Sequence, residues 1–200
     1  NLGQFWNQYW KAGENDKLGW RLEYNMKHRG DVYATHGLGP VAQALDIHRG
    51  DRMKTLVAMD TKSVVGKALV EERTDSVCDN FRNGDHTTTL IRTENGKVIE
   101  IQHNVMTPQP YNRLYQLTGS KGFANKYPIQ GYALNAGELD AELSKNHENL
   151  NAHSFVPDDV RKALMEKYKH PIAKDIEEQA KQVGGHGGMD FIMDYRLIYC

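Results

Sequence analysis

Residues 33–36 bring three groups that can act on a polyhydroxylated ligand into one short stretch of chain. Tyr33 supplies a phenol, Thr35 a hydroxyl and His36 an imidazole. Histidine titrates near neutral pH and can transfer a proton, and tyrosine offers a stacking face with a polar tip. The cluster indicates a site for a polyol. The alternative is a turn whose side chains only satisfy nearby backbone groups, and the residues alone favour that alternative.

A glycine pattern directly after this cluster matches the dinucleotide fingerprint. It runs Gly37-x-Gly39-x-x-Ala42, and Asp60 lies about where a ribose-binding acid is expected. The fingerprint needs a buried apolar strand immediately before its first glycine, and residues 27–36 are too polar to form one. These glycines are therefore interpreted as a turn that leads into a helix.

A second glycine run, Gly184 to Gly188, places His186 in a loop before an apolar helix. Such runs are tolerated where a ligand or another segment must approach closely, and the alternative is a mobile linker between helices. The nine histidines contain no H-E-x-x-H motif, and Cys78 and Cys200 form no C-x-x-C motif. No metal site is predicted, and both thiols are expected to be free.

Composition argues against two classes of partner. The chain has 25 basic and 26 acidic residues, well mixed, and a formal net charge of -1. It therefore lacks the basic patch of a nucleic-acid or membrane-surface protein, and no apolar run approaches the roughly 20 residues of a membrane span.

Both ends of the sequence are abrupt. The start, at Asn1, is followed closely by four aromatic residues, Phe5, Trp6, Tyr9 and Trp10. Such aromatics usually belong inside a fold that is already under way, so we expect a piece of a longer protein with further sequence upstream of Asn1. The compartment stays open, with export to a bacterial periplasm as one alternative.

The elements that must position these residues follow from hydrophobic periodicity and turn signals. β-Branched runs around Asn95-Gly96 predict a hairpin with a type I′ turn. Two more strands of the same sheet are predicted at Arg113–Leu117 and Phe123–Tyr127, and a buried strand is predicted at Lys54–Asp60. Helices are predicted from Pro40 to Gly50, from Thr61 to Glu72, after Pro157, from Ile172 to Val183 and from Met189. No linker or repeat divides the chain. We therefore expect one α+β domain over residues 1–200, an open, mainly antiparallel sheet with helices packed on one face.

Several blocks of the sequence together resemble glycoside hydrolase family 109. They are Trp20-Arg21, YATHGLGPVAQ (33–43), IHRGDR (47–52), GDHTTTLIRT (84–93), PYNRLYQLTGSKG (110–122) and the terminal GGHGGMDFIMDYRLIYC (184–200). The resemblance covers nearly the whole chain. It implies a branch of the Gfo/Idh/MocA oxidoreductases, in which a Rossmann domain precedes a C-terminal domain of the type expected here. The cofactor-binding residues are accordingly expected upstream of Asn1, in the Rossmann domain that this chain lacks.

The resemblance also implies a reaction. Members use NAD without net consumption to remove terminal N-acetylgalactosamine: a hydride leaves C3 of the sugar, the C2 proton becomes acidic, the group at C1 is eliminated, water adds and the hydride returns. This chain would supply proton transfer and positioning. Alone, it is expected neither to bind NAD usefully nor to hydrolyse a glycoside.

By the same resemblance, the sugar is bound by Arg21, by the block Tyr33, Ala34, Thr35 and His36, and by Tyr115. His36 and Tyr33 are the candidate proton carriers, with Tyr115 sharing that role, and Arg21 holds a hydroxyl or the acetamido oxygen. Relatives often have proline where Ala34 stands. His186 falls in the family's last glycine loop and is a possible cofactor contact without an assigned role.

Two partners follow from the resemblance, a glycan ending in N-acetylgalactosamine and the Rossmann domain of the same protein. A third, a second copy of the chain, follows from the open sheet face, which is a natural surface for self-association. Two other functions stay open. One is an ordinary Gfo/Idh/MocA sugar oxidoreductase, which would release an oxidised product, and the other is a non-catalytic dimerisation module.

Overall fold

The computed structural model describes residues 20–74, 78–135, 137–148 and 150–199. They form two compact units, which divide between Arg113 and Leu114. The assignment of the whole chain to one domain stays a prediction. Some residues named above lie outside the described residues, namely Asn1, Phe5, Trp6, Tyr9, Trp10 and Cys200.

Cofactor-binding residues are expected upstream of Asn1, and no described residue tests that expectation directly. It stays a prediction. Among the described residues, Gly37, Gly39 and Asp60 match the dinucleotide fingerprint, so their positions show whether a dinucleotide site could form there.

The described residues of the first unit form three helices and one antiparallel sheet of order β1-β2-β3. In chain order its elements are α1 (Trp20–Lys27), α2 (Thr35–Ala44), β1 (Met53–Asp60), α3 (Val65–Thr74), β2 (Thr87–Thr93) and β3 (Val98–His103). Helix α2 covers one face of the sheet, where Leu38, Val41 and Leu45 pack against buried isoleucines of β2 and β3. This arrangement and the second unit confirm the α+β class.

The predicted hairpin is confirmed, but its turn differs from the prediction. A type I′ turn requires a positive φ at both central residues, whereas only Gly96 of the Asn95-Gly96 pair has one, at +82°. The Gly96 N–H donates to Thr93 O at 3.1 Å, and the Thr93 N–H donates to Lys97 O at 2.9 Å. The connection is therefore a three-residue loop, a type I turn closed by a left-handed glycine.

Helix α2 begins and ends earlier than predicted. Gly37, Gly39 and Pro40 lie inside it rather than in a turn before it. The helix starts at this point because the Ala34 carbonyl accepts the Leu38 N–H at 2.7 Å. It stops at Ala44 instead of Gly50 because the next residues form a loop that is closed by a bridge between Ile47 and Asp51.

Strand β1 is present, but the prediction that it is buried is wrong. Leu56 is 64% exposed and Met59 is 76% exposed. The reason is its position at the edge of the sheet, because α2 packs against the isoleucines of β2 and β3 and leaves most of β1 uncovered by the described residues. Helix α3 begins at Val65 rather than Thr61 because the buried Asp85 carboxylate accepts the Val65 and Gly66 N–H groups and caps the helix there.

The second unit has its own antiparallel sheet of order β4-β5-β6. Its elements are β4 (Tyr115–Thr118), β5 (Gly122–Lys126), β6 (Gly131–Leu134), α4 (Ala141–Ser144), α5 (Asp158–Lys167), α6 (Pro171–Val183) and α7 (Met189–Tyr199). The two predicted strands are thus confirmed, but within the described chain they do not continue the hairpin's sheet. Pro108 and Pro110, which lack the N–H that a sheet ladder needs, lie between β3 and β4.

The helices of the second unit confirm the predictions after Pro157, and its core lies under helix α5. Buried Val156, Val160 and Leu164 pack against Tyr132 and Leu134 of β6. None of the helices in the described part of the chain is long and apolar enough to cross a bilayer.

Candidate functional site

Helix α1 holds Arg21 through a buried pair of amide side chains. Leu22 is fully buried and Asn25 is nearly so, which fixes the inner face of the helix. The Asn25 Nδ2 donates to the Arg21 carbonyl at 2.8 Å, and its Oδ1 accepts from Asn83 Nδ2 at 2.8 Å. Because Asn83 is fully buried as well, the position of Arg21 is tied to the segment that leads into β2.

The segment before α2 is attached to the sheet by an ion pair. The Arg29 guanidinium donates to both carboxylate oxygens of Asp60, at 3.0 and 2.8 Å. This bidentate geometry is the strongest form of such a pair. Asp60, which the dinucleotide fingerprint would use for a ribose, is therefore engaged in the fold, and turns rather than a strand precede Gly37.

Tyr33, His36 and Arg21 lie together at the start of α2. The Tyr33 hydroxyl and His36 Nε2 are 2.9 Å apart and share a hydrogen bond. The two rings meet edge to face, with centroids 4.9 Å apart, and the Arg21 guanidinium lies 5.7 Å from the centre of the Tyr33 ring. Tyr33 is 42% exposed, and His36 is exposed, so a ligand has access to both.

This arrangement can move a proton and hold a polar ligand. A phenol bonded to an imidazole gives two adjacent groups that can donate or accept, and which atom carries the proton depends on the histidine tautomer. The positive charge of Arg21 beside the phenol attracts oxygen atoms of a ligand. The alternative interpretation, that residues 33–36 only satisfy backbone groups, does not account for the bond between the two side chains.

Ala34 and Thr35 lie at the junction between the turn and α2. Ala34 is the residue before α2, and its carbonyl accepts the N–H groups of Gly37 and Leu38. Thr35 is the first residue of the helix and is exposed. Their contact with a ligand stays a prediction.

Tyr115 lies in the second unit. It is the first residue of β4, is half-buried, and pairs with Lys126 of β5. The structure thus brings Arg21 to the block Tyr33–His36 in the first unit, and the part of Tyr115 in the same site stays a prediction.

The glycine run around His186 forms a compact turn between α6 and α7. His186 is exposed, and its Nδ1 lies 2.9 Å from Asp190 Oδ2. Gly188 is buried with a φ of +95°, and a Cβ added there would lie 2.7 Å from the Ala180 carbonyl carbon. Gly188 is therefore explained by its close approach to the backbone of α6. A cofactor contact by His186 stays a prediction.

Two polar residues near the site were missed by sequence reasoning. Asp31 is half-buried and precedes Tyr33, and its Oδ1 accepts the Tyr33 N–H at 3.4 Å. His103 ends β3 and is only 9% exposed. The available signal was its place in the alternation, because it follows Ile99 and Ile101 at the inward positions of the strand, where a polar residue is unusual.

Within the described chain, no three histidine, cysteine or acidic side chains gather into a set that could hold a metal ion. Cys78 is buried and has a free thiol, as predicted. The site as described is made of hydrogen-bonding and cationic groups.

Comparison with known proteins identifies the family. Residues 4–200 match the model of the glycosyl hydrolase 109 C-terminal domain. The whole chain aligns at 75% identity with glycosyl hydrolase family 109 protein 4 of Phocaeicola vulgatus and at 62% with family 109 proteins of Porphyromonas gingivalis and Bacteroides thetaiotaomicron. It spans 39–41% of the length of these relatives. The chain belongs to glycosyl hydrolase family 109 and corresponds to the C-terminal domain of that family.

Proposed function

We propose that the whole protein is an NAD-dependent glycosidase that removes terminal N-acetylgalactosamine from glycans, and that this chain supplies the side chains that bind the sugar and move its protons. The observation that carries the proposal is the hydrogen bond between Tyr33 and His36 beside the Arg21 guanidinium. The names of the relatives support glycoside hydrolysis, and the substrate and cofactor are part of the proposal.

The residues of the site divide the work by their chemistry. His36 Nε2 is the proposed proton carrier at C2 and at the ring hydroxyls, since an imidazole near neutral pH can both accept and donate. The Tyr33 hydroxyl orients that nitrogen and can exchange a proton with it. Arg21 binds a hydroxyl or the acetamido oxygen, and Tyr115 is proposed to share in proton transfer from the second unit.

NAD would accept a hydride from the sugar and return it. The described residues of this chain do not fit a dinucleotide cradle, because Gly37 and Gly39 lie inside α2 and Asp60 is bound by Arg29. We therefore propose that NAD is held by a part of the protein upstream of Asn1, with His186 as a candidate contact. Calorimetric titration of the isolated chain with NAD should give no saturable heat at micromolar ligand, and clear binding would contradict this assignment.

The decisive experiment uses the whole protein and 4-nitrophenyl N-acetylgalactosaminides of both anomers. A glycosidase of this kind releases the sugar while NADH absorbance stays flat over many turnovers, and in D₂O the product gains deuterium at C2. The alternative, a sugar oxidoreductase, produces NADH in proportion to oxidised sugar and releases no nitrophenol. Nitrophenol release without deuterium at C2 would contradict the proposed route.

Self-association is proposed as a separate property of the first sheet. The outer face of β1 and β2 exposes Val57, Met59 and Leu90, at 60%, 76% and 42%. An exposed apolar face next to a strand edge that no other described strand pairs with favours association with a second copy. Light scattering on the whole protein would test it, and a monomer at micromolar concentration would contradict it.

A further inference from the structure

One end of the first sheet is polar on the face that α2 covers. The inward residues of β3 are Ile99, Ile101 and, at the end, His103. His103 pairs with Thr87 on β2, and Thr87 pairs with Asp60 on β1. Residues opposite each other in a sheet point to the same side, so a polar row crosses all three strands where the isoleucines end.

The start of α2 lies over this end of the sheet. At the other end, the Lys97 Nζ donates to the Leu45 carbonyl just after the helix, at 2.8 Å. Near its start, a Cβ added at Gly37 would lie 3.8 Å from Ile101 Cγ2. Helix α2 therefore runs antiparallel to β3, and its first turn, which carries His36, lies near His103.

Three buried atoms of this region are not used by the hydrogen bonds of the fold. They are His103 Nε2, Thr87 Oγ1 and Asp31 Oδ2, each without a hydrogen-bond partner among the described residues. Thr87 is 1% exposed. Buried polar groups are normally paired, and those that are not require a reason other than packing. Strand pairing would be served equally well by apolar residues at positions 87 and 103.

The Asp31 carboxylate is close enough to His103 for its charge to act on the imidazole, and burial favours the neutral form of that ring. Burial lowers the pKa of His103, the negative charge of Asp31 opposes that change, and His86 adds to it. A neutral imidazole offers one donor and one acceptor. The Asp31 carboxylate, in turn, accepts the Tyr33 N–H through its other oxygen.

We propose that Asp31, Thr87 and His103 form a polar floor that positions the turn carrying Tyr33 and His36, and thereby sets the geometry of the hydrogen bond between those two side chains. The three are positioning residues, since they act through Tyr33 and His36. The same turn is also joined to this row at Asp60, because Asp60 binds Arg29, which lies two residues before Asp31. The effect on turnover rests on the proposed function, whereas the effect on geometry does not.

The test uses the whole protein with ¹³C-labelled histidine. The carbon-bound imidazole signals of His36, assigned by their loss in His36→Gln, report its surroundings without requiring activity. His103→Leu puts an apolar side chain in the buried position and should shift these signals. His103→Gln, which puts a polar side chain back at this position, should return them toward the original positions.

Thr87→Val has a matched control in Thr89→Val. Thr89 lies on the same strand and face and is also buried, but it is opposite Ile101 rather than His103. Thr87→Val should shift the His36 signals and Thr89→Val should not. Equal shifts in both, or none in a folded His103→Leu protein, would overturn the proposal. If His103→Leu does not fold, Asp31→Asn at a half-buried position gives the same decision.

Activity separates this proposal from the proposed function. At equal folded concentration, His103→Leu should lower kcat/KM about ten- to a hundredfold, the size expected when a catalytic pair is misplaced by roughly 1 Å. His103→Gln should recover part of that loss. Unchanged kcat/KM in His103→Leu would overturn the proposal. If the unmodified protein releases no N-acetylgalactosamine, the proposed function fails, and the His36 signals still decide the role of the floor.

Discussion

Two tyrosine–histidine pairs lie close together in the chain and differ in what they can do. Tyr24 and His28 lie at the end of α1, where their rings stack with centroids 3.9 Å apart and an interplanar angle of 17°. Tyr33 and His36 straddle the start of α2 and meet edge to face at 77°. The two phenols are almost equally exposed, at 43% and 42%. Exposure therefore does not distinguish the pairs.

The difference lies in the partner of the imidazole nitrogen. His28 Nδ1 lies 2.9 Å from the Tyr24 carbonyl oxygen, so the ring serves the backbone at the end of α1. His36 Nε2 bonds the Tyr33 hydroxyl instead. Residues four apart on a helix lie above one another, and the rings of Tyr24 and His28 stack in this way. Tyr33 comes from a turn instead, and its hydroxyl reaches the ring of His36. The backbone thus decides which pair can transfer a proton.

Replacing the two histidines in turn should give the largest contrast. His36→Ala is expected to lower turnover of an N-acetylgalactosaminide about a hundredfold to ten-thousandfold, roughly 3–5 kcal/mol of transition-state stabilisation, because a proton carrier is lost. His28→Ala should leave turnover nearly unchanged. Rates are compared at equal folded concentration, with deuterium washout at C2 as a second readout. Near-normal turnover and exchange in His36→Ala would show that His36 is structural.

Tyr115→Phe extends the comparison to the second unit. If Tyr115 shares in proton transfer, turnover should fall within the same range, about a hundredfold or more, while NAD binding is nearly unchanged. Tyr132→Phe is the control, since Tyr132 is also half-buried but packs in the core of that unit. Equal, small effects of both substitutions would remove Tyr115 from the site.

Removing the two phenol hydroxyls should give a smaller contrast. Tyr33→Phe keeps the ring near Arg21 but removes the bond to His36, which corresponds to about 1–3 kcal/mol, or roughly ten- to a hundredfold in kcat/KM. Tyr24→Phe should have little effect because the contact of Tyr24 with His28 uses the ring and the backbone carbonyl. A loss in Tyr24→Phe as large as that in Tyr33→Phe would mean that α1 contributes a second catalytic pair.

Local sequence patterns were sufficient for the elements whose partners are close in the chain. The hairpin followed from two β-branched runs around Asn95-Gly96, and the helices α5 and α6 followed from their periodicity and first-turn residues. The Tyr33 to His36 block was found as a cluster of chemical groups, and the family resemblance added Arg21. The structure brings these side chains together, and their part in a sugar site stays a prediction.

The features that depend on distant partners were missed. An apolar run such as β1 has the same pattern in the middle of a sheet and at its edge, so its exposure could not be predicted. The end of α2 depends on Asp51, and the start of α3 on Asp85, which lies 20 residues beyond Val65. To predict the polar floor under Tyr33, one would have to know that Thr87 of β2 lies opposite His103 of β3.

At the opposite end of α2, we expect Asp51 to support the fold without taking part in the chemistry. The Asp51 carboxylate is buried between the loop after α2 and the hairpin. It accepts hydrogen bonds from Thr93 Oγ1 at 2.8 Å and from the Asn95 N–H at 3.1 Å, and the Lys97 ammonium lies 3.3 Å away. Burial raises the pKa of Asp51, but the hydrogen bonds outweigh it and lower the pKa from 3.8 to about 2.

Because the folded-state pKa of Asp51 is depressed, its contribution to stability is present above about pH 4 and is lost as the pH falls toward about 2. Asp51→Asn should therefore lower the urea midpoint at pH 7 and flatten the decline of that midpoint between about pH 4 and pH 2. Asp79→Asn is the control, since the Asp79 side chain is 80% exposed. Per folded molecule at pH 7, Asp51→Asn should turn over substrate nearly as fast as the unmodified protein. A loss as large as that of His36→Ala would mean that the geometry of the Tyr33–His36 pair depends on the whole length of α2, and not on the polar floor beneath its first turn.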